Sequence, residues 1–194
     1  MPQETPPPSA RRTELLEAAY RYALTHGLTD LSLRPLAEAI GSSPRVLLFL
    51  FGSKDGLVRA LLARARTDEL ALLDRVRQPA PAGLVPAVEQ VWTWLAAKEH
   101  RPLLRLWAEA YTRSLVQPDG PWSGFARATV EDWLDVLADC QPPSERSTQT
   151  ATTHRTLALA VLRGALLDLL ATNDEPRLTK AVTHQLTLLR GCVD

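Results

Sequence analysis

The chain has 194 residues, 45% hydrophobic and 23% charged, a balance that excludes an intrinsically disordered protein. No apolar run approaches the ~20 residues of a membrane span. The formal net charge is zero, but residues 1–66 hold nine Lys/Arg and six Asp/Glu, a net charge of +3, and the rest of the chain has the opposite net charge. A basic first third suits contact with an acidic partner such as nucleic acid.

The N-terminal segment has four prolines within residues 1–8 and no apolar run, so we predict a disordered arm and no signal peptide. The two cysteines, Cys140 and Cys192, lack the spacing of a metal or redox motif. A reduced, cytoplasmic protein without a membrane partner is therefore expected.

After the arm, apolar residues recur at intervals of three and four between proline-containing breaks, which predicts an all-α fold. About nine helices are expected, over residues 9–26, 33–40, 44–50, 54–77, 84–99, 102–116, 122–140, 146–172 and 176–190. We predict a three-helix helix-turn-helix domain over 9–53, a connecting helix over 54–77, and a second helical domain over 78–194.

The first predicted helix has one apolar stripe, and Gly27 provides its C-terminal stop. The stripe consists of Leu15, Ala18, Ala19, Tyr22 and Ala23.

The segment 33–52 has the signals of two short helices joined by a sharp turn. Ser32 and Ser43 are good N-caps, Pro44 suits a first helical position, and Gly41 can adopt the left-handed conformation that the turn requires. Ala37 is small enough for two helices to cross closely. The predicted inner face comprises Leu36, Ile40, Leu47 and Leu50. This pattern predicts a helix-turn-helix, although an ordinary helical hairpin shares it.

From Arg11 to Leu62 the chain resembles the N-terminal domain of the TetR/AcrR family of transcriptional regulators. The matching residues are Leu15, Leu16, Ala18, Ala19, Gly27, Leu36, Ala37, Gly41 and the segment Phe51-Gly52-Ser53-Lys54-Asp55-Gly56-Leu57. That last segment is similar to the family's F-x-S-K-E-x-L signature.

The resemblance implies a DNA-binding surface. Arg45, near the start of the second short helix, would contact a base edge or a phosphate, and Lys54 with the helix cap Ser53 would contact a phosphate. The predicted set is Arg11, Ser32, Arg34, Ser43, Arg45, Phe49 and Lys54, with Arg12 as a further backbone contact. For each isolated arginine, a solvated surface charge is the alternative.

The chain departs from the family pattern before Phe51. Phe49 and Leu50 stand where the family usually has a tyrosine and then a polar residue before the phenylalanine. The whole run 46–51 is apolar. A helix turns about 100° per residue, so six successive residues cannot all face inward. We expect Phe49 or Leu48 to face outward, towards a thymine methyl, a sugar edge or another protein.

All five tryptophans follow residue 84, and aromatic side chains often line ligand pockets. The predicted pocket consists of Trp92, Leu95, Trp107, Tyr111 and Trp133, with ordinary core packing as the alternative for each. Possible polar anchors are Glu99, His100 and Glu109, unless they lie on the surface. Asp132, Asp135 and Asp139 share one helix face, which favours a solvated surface over a metal site.

Small residues one turn apart on the eighth predicted helix would let two helices approach closely, and residues 163–170 resemble the family's penultimate helix. A four-helix dimer interface is predicted from Leu157, Ala160, Val161, Gly164, Leu167, Val182, Leu186 and Leu189. Packing within one subunit is the alternative.

No phosphate-binding glycine loop, dinucleotide fingerprint, metalloprotease motif or nucleophile elbow occurs, so neither an enzyme nor a cofactor is expected. The favoured hypothesis is a homodimeric repressor that a small-molecule effector releases from a double-stranded DNA operator. The alternative is a regulator-derived helical module that binds protein or ligand and has weak or lost DNA binding.

Overall fold

The computed structural model describes residues 8–77 and 83–190. Within these residues the chain forms nine α-helices and a 3-10 turn, Lys98–His100, with no strand. The helices are α1 (Pro8–His26), α2 (Leu33–Ala39), α3 (Pro44–Phe51), α4 (Lys54–Arg77), α5 (Leu84–Ala96), α6 (Arg101–Val116), α7 (Phe125–Asp139), α8 (Gln149–Thr172) and α9 (Glu175–Arg190). The predicted all-α class is confirmed.

Two helices begin later than predicted. α7 begins at Phe125 because the preceding residues form turns that end at Gly124, where φ is +75°. α8 begins at Gln149 because Thr148 caps it by accepting a hydrogen bond from the backbone N–H of Ala151 at 3.1 Å. The predicted arm, apart from Pro8, and the residue Cys192 lie outside the described residues.

The structure divides into two compact units. The first contains the described residues up to Asp68 together with Arg105–Ala126, and the second contains Glu69–Leu104 and the described residues from Arg127 onwards. The division falls inside α4, so this helix contributes to both units. The functional domains predicted over 9–53, 54–77 and 78–194 remain predictions.

The core of the first unit is built by α1, α2, α3 and the first part of α4. α2 packs against both α1 and α3. On α1, Tyr20 is buried although it lies outside the predicted stripe, whereas Ala18 and Tyr22 are half-buried. Other buried residues of this unit include Leu15, Ala19, Ala23, Leu28, Leu36, Ala37, Leu47, Phe51, Leu57 and Leu61.

A polar cluster joins α1 to α4 within the first unit. The Tyr20 hydroxyl donates to Asp68 at 2.8 Å, and the Arg64 guanidinium donates to Glu17 at 2.6 Å and to Asp68 at 2.5 Å. Arg64 also lies over the Tyr20 ring, 4.7 Å from its centroid. Burial and the hydrogen bond to Asp68 raise the pKa of the Tyr20 hydroxyl, since both favour the neutral phenol.

In the second unit, α5, α8 and α9 pack against one another. Two buried indoles satisfy their N–H groups there: Trp92 donates to Thr179 at 2.9 Å and Trp133 donates to Glu69 at 2.7 Å. No helix in the described part of the chain is long and apolar enough to cross a membrane.

Candidate nucleic-acid interface

The turn between α2 and α3 has the geometry of a helix-turn-helix. Gly41 adopts a φ of +64°, and the backbone N–H of Ser42 donates to the carbonyl of Ala37 at 2.8 Å. Ser43 then accepts a hydrogen bond from the N–H of Val46 at 3.3 Å, and Pro44 begins α3. The structure therefore confirms the predicted roles of Gly41 in the turn, Ser43 as the cap and Pro44 as the first residue of α3. Ser32 occupies the predicted N-cap position of α2, but its side chain makes no capping hydrogen bond.

α3 buries one face and exposes another. Leu47 and Phe51, one turn apart, point into the core of the first unit. Val46, Leu48 and Phe49 are 38%, 41% and 81% exposed, and we call these three residues the apolar face of α3. The expectation that Phe49 or Leu48 faces outward is confirmed for both. Leu50, predicted to face inward, is only half-buried.

Cationic side chains lie along the chain on both sides of that face. Arg34 is exposed in the first turn of α2, Arg45 is exposed at the second position of α3, and Lys54 is exposed as the first residue of α4. Ser53 caps α4 by accepting from the N–H of Gly56 at 2.9 Å. A positively polarised helix N-terminus combined with a lysine can bind a phosphate.

The turn between α3 and α4 requires glycine at position 56. A Cβ atom there would lie 2.0 Å from the carbonyl oxygen of Phe51, so no other residue fits without moving the backbone. The position of Lys54 relative to α3 therefore depends on this close approach.

Arg11 and Arg12, two of the predicted DNA contacts, belong to α1 and already have partners. Arg11 forms an ion pair with Glu14 at 2.7 Å, and the Arg12 guanidinium lies 5.0 Å from the centroid of the Phe51 ring. Arg12 thus packs against the end of α3 and helps to hold it on α1.

Glu109 of α6 has a role that the sequence did not reveal. Its carboxylate accepts hydrogen bonds from the backbone N–H of Leu28, at 3.1 and 2.9 Å, and from the hydroxyl of Thr29. These residues form the loop that leads into α2. Glu109 was expected to be a ligand anchor or a surface residue, and it instead holds the entry to the helix-turn-helix.

The five residues of the predicted ligand pocket belong to different units. Trp92, Leu95 and Trp133 are buried in the second unit, whereas Trp107 and Tyr111 are half-buried in the first, with ring centroids 5.0 Å apart. The pocket itself stays a prediction. The second unit also contains an open cleft of about 800 Å³ that none of the five lines. Its lining includes Gly83, Pro86, Gln141, His154 and Arg190.

The predicted dimer residues separate into two groups. Leu157, Ala160, Gly164 and Leu167 form an exposed stripe on α8, and Leu157 and Leu167 are 47% and 52% exposed. Val161, beside the stripe, is half-buried.

On α9, Val182, Leu186 and Leu189 are instead buried within their own subunit, where α9 packs on α5 and α8. Their side chains leave almost no surface for a second subunit, so this part of the prediction is corrected. Leu188, 52% exposed, lies on the free side of α9.

Asp139, one of the three predicted carboxylates of α7, has structural partners. Asp139 pairs with Arg77 at 3.0 Å and with Arg146 at 3.4 Å. Among residues 8–77 and 83–190, no group of three His, Cys, Asp or Glu side chains is arranged to hold a metal ion.

The described residues thus form a helix-turn-helix with an exposed second helix, together with a second helical unit. This arrangement places the chain in the class of helix-turn-helix proteins. Residues 15–61 match the family model described as bacterial regulatory proteins, tetR family. The resemblance seen in the sequence is therefore confirmed for this N-terminal segment.

Solved structures share the fold over nearly the whole chain. A transcriptional regulator from Rhodococcus sp. is 22% identical with a TM-score of 0.76, covering 93% of this chain and 96% of its own. A TetR transcription regulator from Haloarcula marismortui is 19% identical with a TM-score of 0.73, covering 91% and 94%.

The multidrug binding protein EbrR, solved with imidazole, is 24% identical with a TM-score of 0.65, covering 90% and 89%. At these identities the likeness establishes the fold alone. No curated protein matches the chain significantly.

Proposed function

We propose that this protein is a DNA-binding transcriptional regulator that places α3 in the major groove of an operator. The observation that carries the proposal is the exposed face of α3, held away from the core by the Gly41 turn and flanked by Arg45 and Lys54. An α-helix fits the major groove, and the second helix of a helix-turn-helix is the element that enters it.

Two kinds of contact follow from this placement. Lys54, Arg34 and the first turn of α4 would bind phosphates and set the register of the protein on the duplex. Arg45 lies at the N-terminal end of α3, the end that approaches base edges, and its guanidinium suits the two acceptors of guanine.

The regulator would act as a homodimer, because operators are commonly two-fold symmetric. The exposed stripe of α8 supports this arrangement. Ala160 and Gly164 leave room for a second helix, since no atom beyond the adjacent backbone of α8 lies within 4 Å of a Cβ added to Gly164. Two recognition helices in such a dimer would contact half-sites about 34 Å apart.

Release from the operator by a small molecule is the second half of the proposal. It is supported by EbrR, whose structures contain imidazole and proflavin, and by the aromatic residues of the chain after residue 84. The effector must bind the DNA-free conformation more tightly than the DNA-bound one, since equal affinity shifts no equilibrium. In this role the protein is a cytoplasmic repressor rather than an enzyme.

The first prediction concerns DNA affinity. A duplex covering the gene's own upstream region should bind more tightly than a random duplex of equal length in fluorescence anisotropy, with affinity falling steeply as salt rises. Lys54→Ala should weaken binding to all duplexes and reduce the salt slope by about one. Arg45→Ala should weaken binding to the upstream duplex about tenfold and relax sequence preference.

The matched control is Lys180→Ala, which removes an exposed cation of α9 in the second unit and should leave the anisotropy curves unchanged. Equal affinity of the wild type for upstream and random duplexes would contradict the proposed function.

A further inference from the structure

We propose that the apolar face of α3 recognises thymine methyl groups, so that the preferred half-site carries A·T pairs where α3 crosses the groove. This inference rests on the proposed function and adds the chemistry of the base contacts. It concerns Val46, Leu48 and Phe49, which are exposed next to a single polar reader, Arg45.

The exposure of these side chains follows from the geometry of α3. Leu47 and Phe51 already occupy the two inward positions, one helical turn apart. Rotating the helix to bury Phe49 would expose both of them, so the fold cannot cover the apolar face by a local adjustment. Phe49, at 81% exposure, therefore presents almost its whole ring to solvent in the isolated chain.

Within α3, few polar groups are available for base recognition. Among Pro44–Phe51, Arg45 is the one polar residue, and the Ser43 hydroxyl just before the helix already accepts the capping N–H of Val46. Hydrogen-bonded recognition by this helix is therefore confined to its N-terminal end. Beyond that end, it offers only apolar contacts.

The major groove contains one apolar group among its base edges, the C5 methyl of thymine. The other base edges present donors and acceptors, which lose hydration without compensation when an apolar side chain covers them. An apolar helix face therefore discriminates in favour of thymine. With Arg45 suited to guanine, the expected half-site is a G·C pair followed by thymine-containing pairs.

The surrounding charge favours DNA over a protein partner for this face. Arg34, Arg45 and Lys54 are exposed along α2, α3 and the start of α4, and residues 1–66 have nine basic and six acidic residues. Exposed cations before, within and after α3 suit contact with the two phosphate chains that border the groove, while the apolar side chains suit methyl groups on its floor.

The test removes the methyl group alone. The tightest duplex is first selected from a random pool, and each thymine in its half-sites is then replaced by deoxyuridine, which keeps all hydrogen-bonding groups. Replacing a contacted thymine should lower the affinity of the protein for the duplex about fourfold, as expected for the loss of one buried methyl group. Converting an adjacent cytosine to 5-methylcytosine should raise the affinity for the duplex where the new methyl group reaches the apolar face of α3.

Phe49→Ala should lose the sensitivity to uracil at the thymine that the Phe49 ring contacts, because it removes that ring. Since Phe49 is exposed, this variant is expected to fold, and circular dichroism verifies that. The matched control is Leu115→Ala, which removes a 63% exposed side chain from α6 and should retain the full sensitivity to uracil.

The outcomes separate the two proposals. Sequence-specific binding with no cost for uracil at any position overturns the methyl contact and leaves the DNA-binding function standing. Absence of any preferred duplex in the selected pool, with a protein partner whose binding Phe49→Ala abolishes, overturns both.

Discussion

Tyr20 illustrates how a single side chain in this protein depends on partners far along the chain. Its hydroxyl donates to Asp68, which also accepts from Arg64, and its ring lies beneath the Arg64 guanidinium. Because the ring is 3% exposed, its phenol cannot ionise without placing a charge in the core next to the Asp68 carboxylate. The Tyr20–Asp68 hydrogen bond between α1 and α4 therefore exists only while Tyr20 is neutral.

This arrangement predicts a loss of stability at alkaline pH. The pKa of Tyr20 is raised in the folded state above its ordinary value of 10.0, so its contribution is complete below that pH and is lost as pH rises towards the folded value. Between pH 9 and 11 the free energy of unfolding of the wild type, measured by urea denaturation, should fall. In Tyr20→Phe this fall should be smaller by about 1 kcal/mol.

The control is Tyr22→Phe, which changes a half-buried tyrosine that stacks on His26 on the other side of α1. It should follow the wild-type pH profile. A Tyr20→Phe profile that also parallels the wild type would show that this phenol does not titrate differently in the folded protein.

At the scale of elements, α6 matters to the helix-turn-helix through one carboxylate. Glu109 accepts both the Leu28 N–H and the Thr29 hydroxyl, and so fixes the loop from which α2 begins. A charged acceptor contributes more than a neutral one to such a bond. The orientation of α2, and through the Gly41 turn that of α3, is thereby linked to α6 inside the first unit.

Removing this carboxylate should loosen the loop without unfolding the protein. Glu109→Ala leaves the buried N–H of Leu28 without its acceptor, which costs about 1–3 kcal/mol. Hydrogen exchange should show faster exchange at the Leu28 amide, and anisotropy should show about tenfold weaker binding to the upstream duplex. Amides of α5 and α9 should keep their protection.

Glu131→Ala provides the comparison, because Glu131 is an exposed carboxylate of α7. It should change neither exchange at Leu28 nor duplex affinity. Unchanged protection of Leu28 in Glu109→Ala would mean that the loop is held by other contacts.

At the scale of the whole molecule, the exposed stripe of α8 is the surface that we propose for assembly. Leu157 and Leu167 remain half exposed although α8 is otherwise well packed on α5 and α9. Leu188 on α9 adds a further exposed apolar side chain of the second unit. Such a surface buries its apolar area when two copies associate about a two-fold axis.

The double substitution Leu157→Lys, Leu167→Lys should therefore convert a dimer to a monomer in analytical ultracentrifugation. Affinity for a two-half-site duplex should fall by at least tenfold, because a monomer contacts only one half-site. Helical content should be unchanged, since both side chains project from the surface.

Leu115→Lys introduces the same charge at an exposed position of α6 in the first unit and should remain dimeric. A wild type that sediments as a monomer at tens of micromolar, or a double variant that remains dimeric, would contradict the predicted interface.

The sequence by itself determined the local features of this protein. The positions of most helices, the left-handed Gly41, the Ser43 cap and the outward direction of Phe49 depend on residues within one or two turns of each other. Backbone sterics, capping hydrogen bonds and the 100° rotation per residue act over that range, so a single chain segment contains all the information they need.

Only the tertiary structure decided which distant residues meet. Glu109 on the Leu28 loop, Tyr20 with Asp68, and the burial of Val182 on α9 all join segments far apart in the chain, and none has a local signal. An apolar stripe shows that a helix is covered on that side, but not whether its own subunit or a second one covers it. That choice depends on how the helices pack, because the free energy of burial is the same for either neighbour.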